Sequence, residues 1–283
     1  MTTFKITLAY DGAGFVGWQR QASGMSIQKL IEDALADLDG RDVAVAGAGR
    51  TDAGVHALGQ VAGFSLERAI APDTLARALN ARLPETVRVV AAEEVPPRFH
   101  ARFDARWKTY RYRLWHGHTS NPFERQYAWH VSGALDVAAM AAAAPLVEGR
   151  HDFAGFQGAG SDPNTTEREV FSSRIVRSRK LSTTEGTEVT EAQTGLFLRV
   201  PRVLCGGELI QYEIAGDGFL RHMVRNIVGT LVEIGRGRRS VESIGEVLAS
   251  RDRARAGPTA PAEGLFLVHV AYDEHPRAPA TSS

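Results

Sequence analysis

The chain has 283 residues, 43% hydrophobic and 23% charged, a balance that excludes a disordered polymer and allows one large domain or two halves sharing a core. Lys+Arg 33 equals Asp+Glu 33, so no overall charge marks a nucleic-acid or membrane surface, and no apolar run approaches the roughly 18 residues a membrane helix needs. Cys205 is the only cysteine, which excludes an internal disulfide, argues against a cysteine metal cage and fits a reducing cytoplasm.

In chain order, "MTTFKITLAYDG" reads as a first strand, its apolar run being too short and interrupted for a signal peptide. "SIQKLIEDALADL" predicts a helix capped by Ser26, with Ile27, Leu30, Ile31, Ala34, Leu35 and Leu38 at helical spacing. "DVAVAGAG" predicts a strand entering a Gly-rich motif and "GQVAGFSL" the strand leaving it. "DTLARALNARL" predicts a helix capped by Asp73 after Pro72, and "TVRVVAAEEV" another strand.

A second half opens with the strand "WKTYRYRLWHG". "DVAAMAAAAPLVEG" predicts a helix capped by Asp136 and disturbed by Pro145. "ELIQYEIAGDGFLRHMVRNIVGTLVEIG" runs from strand to helix, "SVESIGEVLAS" is a capped helix and "GLFLVHVAYD" a closing strand. Strand–helix–strand thus occurs twice. The expected fold is α+β, with halves over 1–104 and 105–273. The polar segment 178–195 predicts an inserted hairpin, and 274–283 a disordered tail.

The motif "AGAGRTDAGVHALGQ" (46–60) crowds Arg50, Thr51, Asp52 and His56 among small residues. A P-loop needs Gly-Lys-Ser/Thr, which is absent. A dinucleotide fingerprint from Gly47 and Gly49 would place Asp52 where its third Gly belongs, and a carboxylate there repels pyrophosphate. Asp52 and His56 are two metal ligands without a third, and His116 and His118 form only an isolated H-x-H, so no metal is expected. Two readings stay open on the residues alone. Asp52 is either a turn aspartate bonded to its own backbone or a reactive carboxylate that Gly49 and Gly54 leave open to a flat group.

The motif resembles the active-site sequence of the tRNA pseudouridine synthase A family. "YDGAGFVGWQRQ" (10–21), "FHARFDARWKTYRYRL" (99–114), "HMVRNIVGTLVEIG" (222–235) and "AEGLFLVHVAY" (262–272) resemble its other motifs, in the same order along nearly the whole chain. Segment 178–195 is longer than in compact bacterial members. The resemblance implies a pseudouridine synthase fold, with two similar halves, a mainly antiparallel mixed sheet and a central RNA-binding cleft. It implies isomerisation of uridine in the tRNA anticodon stem-loop, at about positions 38 to 40, on a base taken out of its stack. It also implies Asp52 as nucleophile, Tyr110 stacked on the uracil, Arg225 paired with Asp52, a homodimer and no cofactor.

Elementary chemistry is consistent with these roles. A carboxylate can attack the uracil ring or ribose C1′, and deprotonation of the ribose is a third route. Burial drives a carboxylic acid toward its protonated, non-nucleophilic form, and a nearby guanidinium restores the charge. An arginine is therefore required near Asp52; Arg50 and Arg225 are the candidates, with Gly229 read as leaving room beside Arg225. Strand alternation puts Lys108, Tyr110 and Tyr112 on one face, a basic and aromatic mixture suited to single-stranded RNA. Arg20, His100 and Arg102 are the further substrate-binding candidates, with Arg98, Arg106 and the arginines of "GRGRRS" as phosphate contacts. Only Lys5, Lys29, Lys108 and Lys180 are lysines. The arginine excess suits phosphate recognition, and equally a genome rich in G and C.

Two rival readings lack residues they need. "GAGFVGW" partly resembles the RNP1 pattern of a non-catalytic RNA-binding module, but Asp11 and Ala13 stand where a base and an aromatic belong. A serine hydrolase would need G-x-S-x-G, which is absent.

Overall fold

The computed structural model describes residues 1–160, 163–177 and 207–273. The expected hairpin at 178–195, the tail at 274–283 and Cys205 lie outside the described residues.

Strand β1 (Thr2–Tyr10) buries Phe4, Ile6, Leu8 and Tyr10 in alternation. Helix α1 (Ile27–Asp39) follows its predicted stripe, burying Ile27, Ile31, Ala34, Leu35 and Leu38. The Ser26 side chain accepts from Lys29 N–H at 3.2 Å, and left-handed Gly40 closes the helix. Of the strand expected at 42–49, only β2 (Ala46–Gly47) forms, pairing with β3 (His56–Leu66). Helix α2 (Pro72–Asn80) differs at its start. Pro72 is its first residue, where a missing N–H is harmless, and Ala71 is the cap; Asp73 lies in the first turn and makes no cap bond. Strand β4 (Val87–Val95) follows.

Strand β5 (Trp107–Gly117) has the predicted bounds. Helix α3 (Val137–Ala143) is capped by Asp136, whose carboxylate accepts from Ala138 and Ala139 N–H, and Pro145 lies in the 3-10 turn that ends it. Strand β9 (Gly207–Gly216) leads to α4 (Met223–Gly235), then α5 (Ser243–Ser250) and β10 (Leu265–Ala271). The expected capping of α5 is not seen: its N-cap, Glu242, makes no side-chain cap bond. Three strands were not predicted: β6 (Trp129–Val131), β7 (Gly149–Asp152) and β8 (Glu167–Arg177). β6 and β7 are short, and charges in β7 and β8 mask the apolar alternation, as is usual near a sheet edge.

The ten strands form one mixed, mostly antiparallel sheet ordered β4-β1-β3-β10-β5-β9-β8-β7, with β2 on β3 and β6 on β5. The connectivity repeats. β1 lies between β3 and β4, its partners further along the chain, with α1 and α2 in the intervals. β5 lies between β9 and β10 in the same way, with α3, then α4 and α5, in the intervals. The two sets meet where β3 and β10 run parallel, through Phe266↔His56 and Leu267↔Ala57. One buried core spans both sets, and among the described residues no helix is long and apolar enough to cross a membrane.

Residues Gly12 to Trp18 form turns rather than the central strand an RNP1 motif occupies, which removes that rival.

Candidate active site

Asp52 sits in the connection between β2 and β3. Its carbonyl accepts from Val55 N–H at 3.1 Å, closing a turn whose third residue, Gly54, has φ +77° and so favours glycine. Loop 12–18 clasps this turn: Trp18 N–H donates to Thr51 O at 3.0 Å, and Gly54 N–H to Phe15 O at 3.4 Å. The glycines serve this backbone packing. A Cβ on Gly12 would lie 2.0 Å from Val55 O, one on Gly17 2.6 Å from Thr51 O, and one on Gly47 2.4 Å from the Trp18 ring. The expectation that Gly49 and Gly54 hold space for an incoming flat group is corrected accordingly: a Cβ on Gly49 would contact Lys108 and one on Gly54 would contact Ala262.

Thr51 is tied to Tyr10 by a 2.8 Å hydroxyl–hydroxyl bond, and burial pushes the Tyr10 phenol up to about 12, keeping it a neutral partner. Gln60 donates to Gly49 O at 2.9 Å. The motif is thus held on both sides of Asp52, whose side chain keeps 33% exposure.

Facing it is the start of α4. Arg225 Nη1 lies 3.7 Å and His222 Nε2 3.4 Å from the same carboxylate oxygen, Oδ2. Arg225 Nε donates to Ala260 O at 2.6 Å, and Ala260 N–H to Arg225 O at 3.1 Å. Segment 256–260 approaches α4 closely because residue 229 is glycine, whose Cβ would lie 1.7 Å from Pro258 O. The room expected beside Arg225 is filled by that carbonyl.

The other expected site residues divide. Tyr110, on β5, is 8% exposed, with its ring edge-on to Phe219 at 5.1 Å. Burial, then the nearby Tyr10 and Asp52, raise its phenol above the ordinary value, so it stays protonated. Tyr112, expected on the same face, is a core residue whose hydroxyl donates to Pro261 O at 2.8 Å. Arg50 is exposed and, among the described residues, pairs with no carboxylate. Arg20 pairs with Glu32 at 3.4 Å. His100 Nδ1 accepts from Arg102 and Phe103 N–H, and its ring lies 4.2 Å from that of Phe103, which is 75% exposed. Arg102 is exposed above Phe103. Lys108 is half-buried against Gly49, and burial, then Arg102, lower its amine below the ordinary value.

Phe103 and His222 had no assigned role in the sequence. The available signal for His222 was its place three residues before Arg225, which puts both on one helical turn. His56 is not a partner of Asp52: Nδ1 accepts from Gly12 N–H at 3.0 Å and Nε2 meets Gln126 O at 3.1 Å, so neither ring nitrogen is free for a metal.

A profile described as tRNA pseudouridine synthase matches residues 6–104 and 143–273. The chain belongs to that family. It is 43% identical over 278 residues to the tRNA pseudouridine synthase A of Myxococcus xanthus, covering 98% of this chain and 95% of that protein. It is 45% identical over 278 residues to its namesake in Solidesulfovibrio magneticus, covering 96% and 92%. With that of Moorella thermoacetica the identity is 43% over 274 residues, covering 96% and 100%. Within the family matches, Asp52 and Tyr10 fall in the first matched stretch and Tyr110 falls between the two; Phe219, His222 and Arg225 fall in the second.

Proposed function

We propose that this protein is an isomerase that converts uridine to pseudouridine in the tRNA anticodon stem-loop, at about positions 38 to 40, after flipping the base from its stack. Asp52 is the nucleophile. One observation carries this reading: a half-open carboxylate on a doubly clasped turn meets a tethered arginine, Arg225, from the other half of the chain. The guanidinium sets a fixed positive charge 3.7 Å from the carboxylate.

The reaction breaks the bond from C1′ to N1 and joins C1′ to C5. The C5 hydrogen leaves as a proton and N1 gains one, so atoms and electrons balance within the nucleotide. The protein needs to hold the base, supply the nucleophile and move a proton. Tyr110 offers a ring rigidified against Phe219 for the uracil to rest on. In this reading Arg102, Lys108 and His100 form the approach for the neighbouring backbone, and the exposure of Arg50 supports a contact with RNA rather than with the carboxylate. Family resemblance supports a homodimer, and the single cysteine fits a cytoplasmic setting.

Asp52→Asn tests the reading. The amide is nearly isosteric and Val55 is held by the backbone carbonyl of residue 52, so the turn and the melting temperature persist. The expected outcome is tRNA binding at least as tight as wild type with no detectable pseudouridine. Turnover by a folded Asn variant would remove Asp52 from the chemistry.

A further inference from the structure

His222 is held in a conformation that residues with a Cβ rarely adopt. Its φ is 59°, and among the described residues only Arg251 shares a positive φ without being glycine. The backbone there makes a tight corner: Met223 N–H donates to Leu220 O at 3.1 Å, and His222 O accepts the first bond of α4 from Asn226 N–H at 2.9 Å. The ring is backed by Gly158. A Cβ on Gly158 would lie 2.6 Å from His222 Nδ1, so glycine there lets the imidazole seat. Gly158 N–H donates to Arg221 O at 2.7 Å, and Arg221 Nη1 donates back to Ala159 O at 2.8 Å, locking that segment to the corner.

The opposite edge of the ring faces Asp52. His222 and Arg225, one turn apart, both approach Oδ2. At 3.7 Å Arg225 is beyond hydrogen-bond reach, and its tether to Ala260 keeps it from following the carboxylate. The closer of the two approaches to Oδ2 is that of the His222 Nε2 edge.

We infer that His222 is a positioning residue, whose Nε2 edge, set against Oδ2 of Asp52, limits how the carboxylate can turn beside Arg225. The strained corner aims the ring there. Burial, then the Arg225, Arg221 and Arg253 charges against the opposing pull of Asp52, hold the imidazole below its ordinary pKa. It is thus neutral near pH 7 and does not cancel the carboxylate's charge. This inference rests on Asp52 being the nucleophile.

The test uses His222→Gly and His222→Asn in the full chain, with kcat and KM for pseudouridine formation on tRNA. Glycine suits the left-handed backbone better than histidine does, so a purely structural role predicts undiminished activity. Positioning predicts a kcat loss of about 10- to 100-fold in the Gly variant, with KM within about threefold of wild type, since slight misplacement of a reacting group is costly. Asparagine tolerates the same backbone and offers an amide N–H, so it recovers part of the loss. Wild-type kcat in the Gly variant, a loss confined to KM, an Asn variant no better than Gly, or failure of both to fold would each overturn the inference. A wild type that makes no pseudouridine would overturn the functional reading as well, which separates the two failures.

Discussion

His56 shows how a polar residue inside a reactive-looking motif can be structural. It is 1% exposed, stacks on Phe266 at 4.7 Å, and joins loop 12–18 to Gln126 through its two nitrogens. Asp11 faces Nδ1 at 3.1 Å and is itself bonded by the Tyr127 hydroxyl at 2.9 Å. Burial outweighs Asp11 and holds the imidazole below its ordinary pKa. Between the lowered folded value and the unfolded value of about 6.5, the unfolded chain binds more protons, so stability falls as pH falls through that window. Melting temperature is expected to hold from about pH 8 to 7 and decline below about 6.5, where histidines titrate. His56→Gln keeps an acceptor for Gly12 N–H and should flatten the decline. An unchanged slope in that variant would assign the decline to other groups.

At the scale of the element, α4 is a helix whose interior glycine is worth more than its propensity costs. Gly229 admits the 256–260 segment, and a web of bonds secures the contact. Gly257 N–H donates to Thr230 Oγ1 at 2.8 Å, Thr259 to Asn226 Oδ1 at 2.6 Å, and Arg253 to that same oxygen at 3.0 Å. Ala in place of Gly in a helix gains about 1 kcal/mol from propensity, while overpacking a tight contact costs typically about 1–3 kcal/mol. A Cβ 1.7 Å from a backbone oxygen lies at the severe end, so the clash wins. Gly229→Ala is expected to lower stability in urea melts and, by shifting Ala260, to release Arg225 and lower turnover. A variant as stable and active as wild type would show that the segment yields without consequence.

Over the whole molecule, zero net charge conceals an uneven distribution. Arg236 and Arg238 are paired with Glu233, and Arg239 donates to the carbonyls of Arg255 and Ala256. Arg50, Arg98, Arg102, Arg106 and Lys108 make no ion pair among the described residues. RNA affinity is therefore expected to depend on the second group. If about four phosphates are neutralised, affinity for tRNA falls about 100-fold between about 50 and 200 mM salt. Arg102→Ala should shrink the slope of log affinity against log salt by about one, and Arg238→Ala should leave it alone. Equal slopes in all three proteins would place the phosphate contacts elsewhere.

What the sequence determined by itself is local. Ser26 and the spacing of Ile27, Ile31 and Leu35 define α1, the alternation in "WKTYRYRL" marks β5, and the crowding of polar residues around Asp52 marks the motif. These are readable because a cap, a helical stripe and a pleat depend on residues a few positions apart. Strand β8 escaped because its charges hide its period, and its place depends on β9. The tertiary structure alone decided which arginine meets Asp52. Arg50 is near in sequence but exposed, whereas Arg225 is far in sequence and tethered beside the carboxylate. It alone decided that Tyr112 is core while Tyr110 borders the site, and that His222 reaches Asp52. Each of these depends on the β3–β10 junction and on segment 256–260 fixing α4, contacts between distant parts of the chain that no local period encodes.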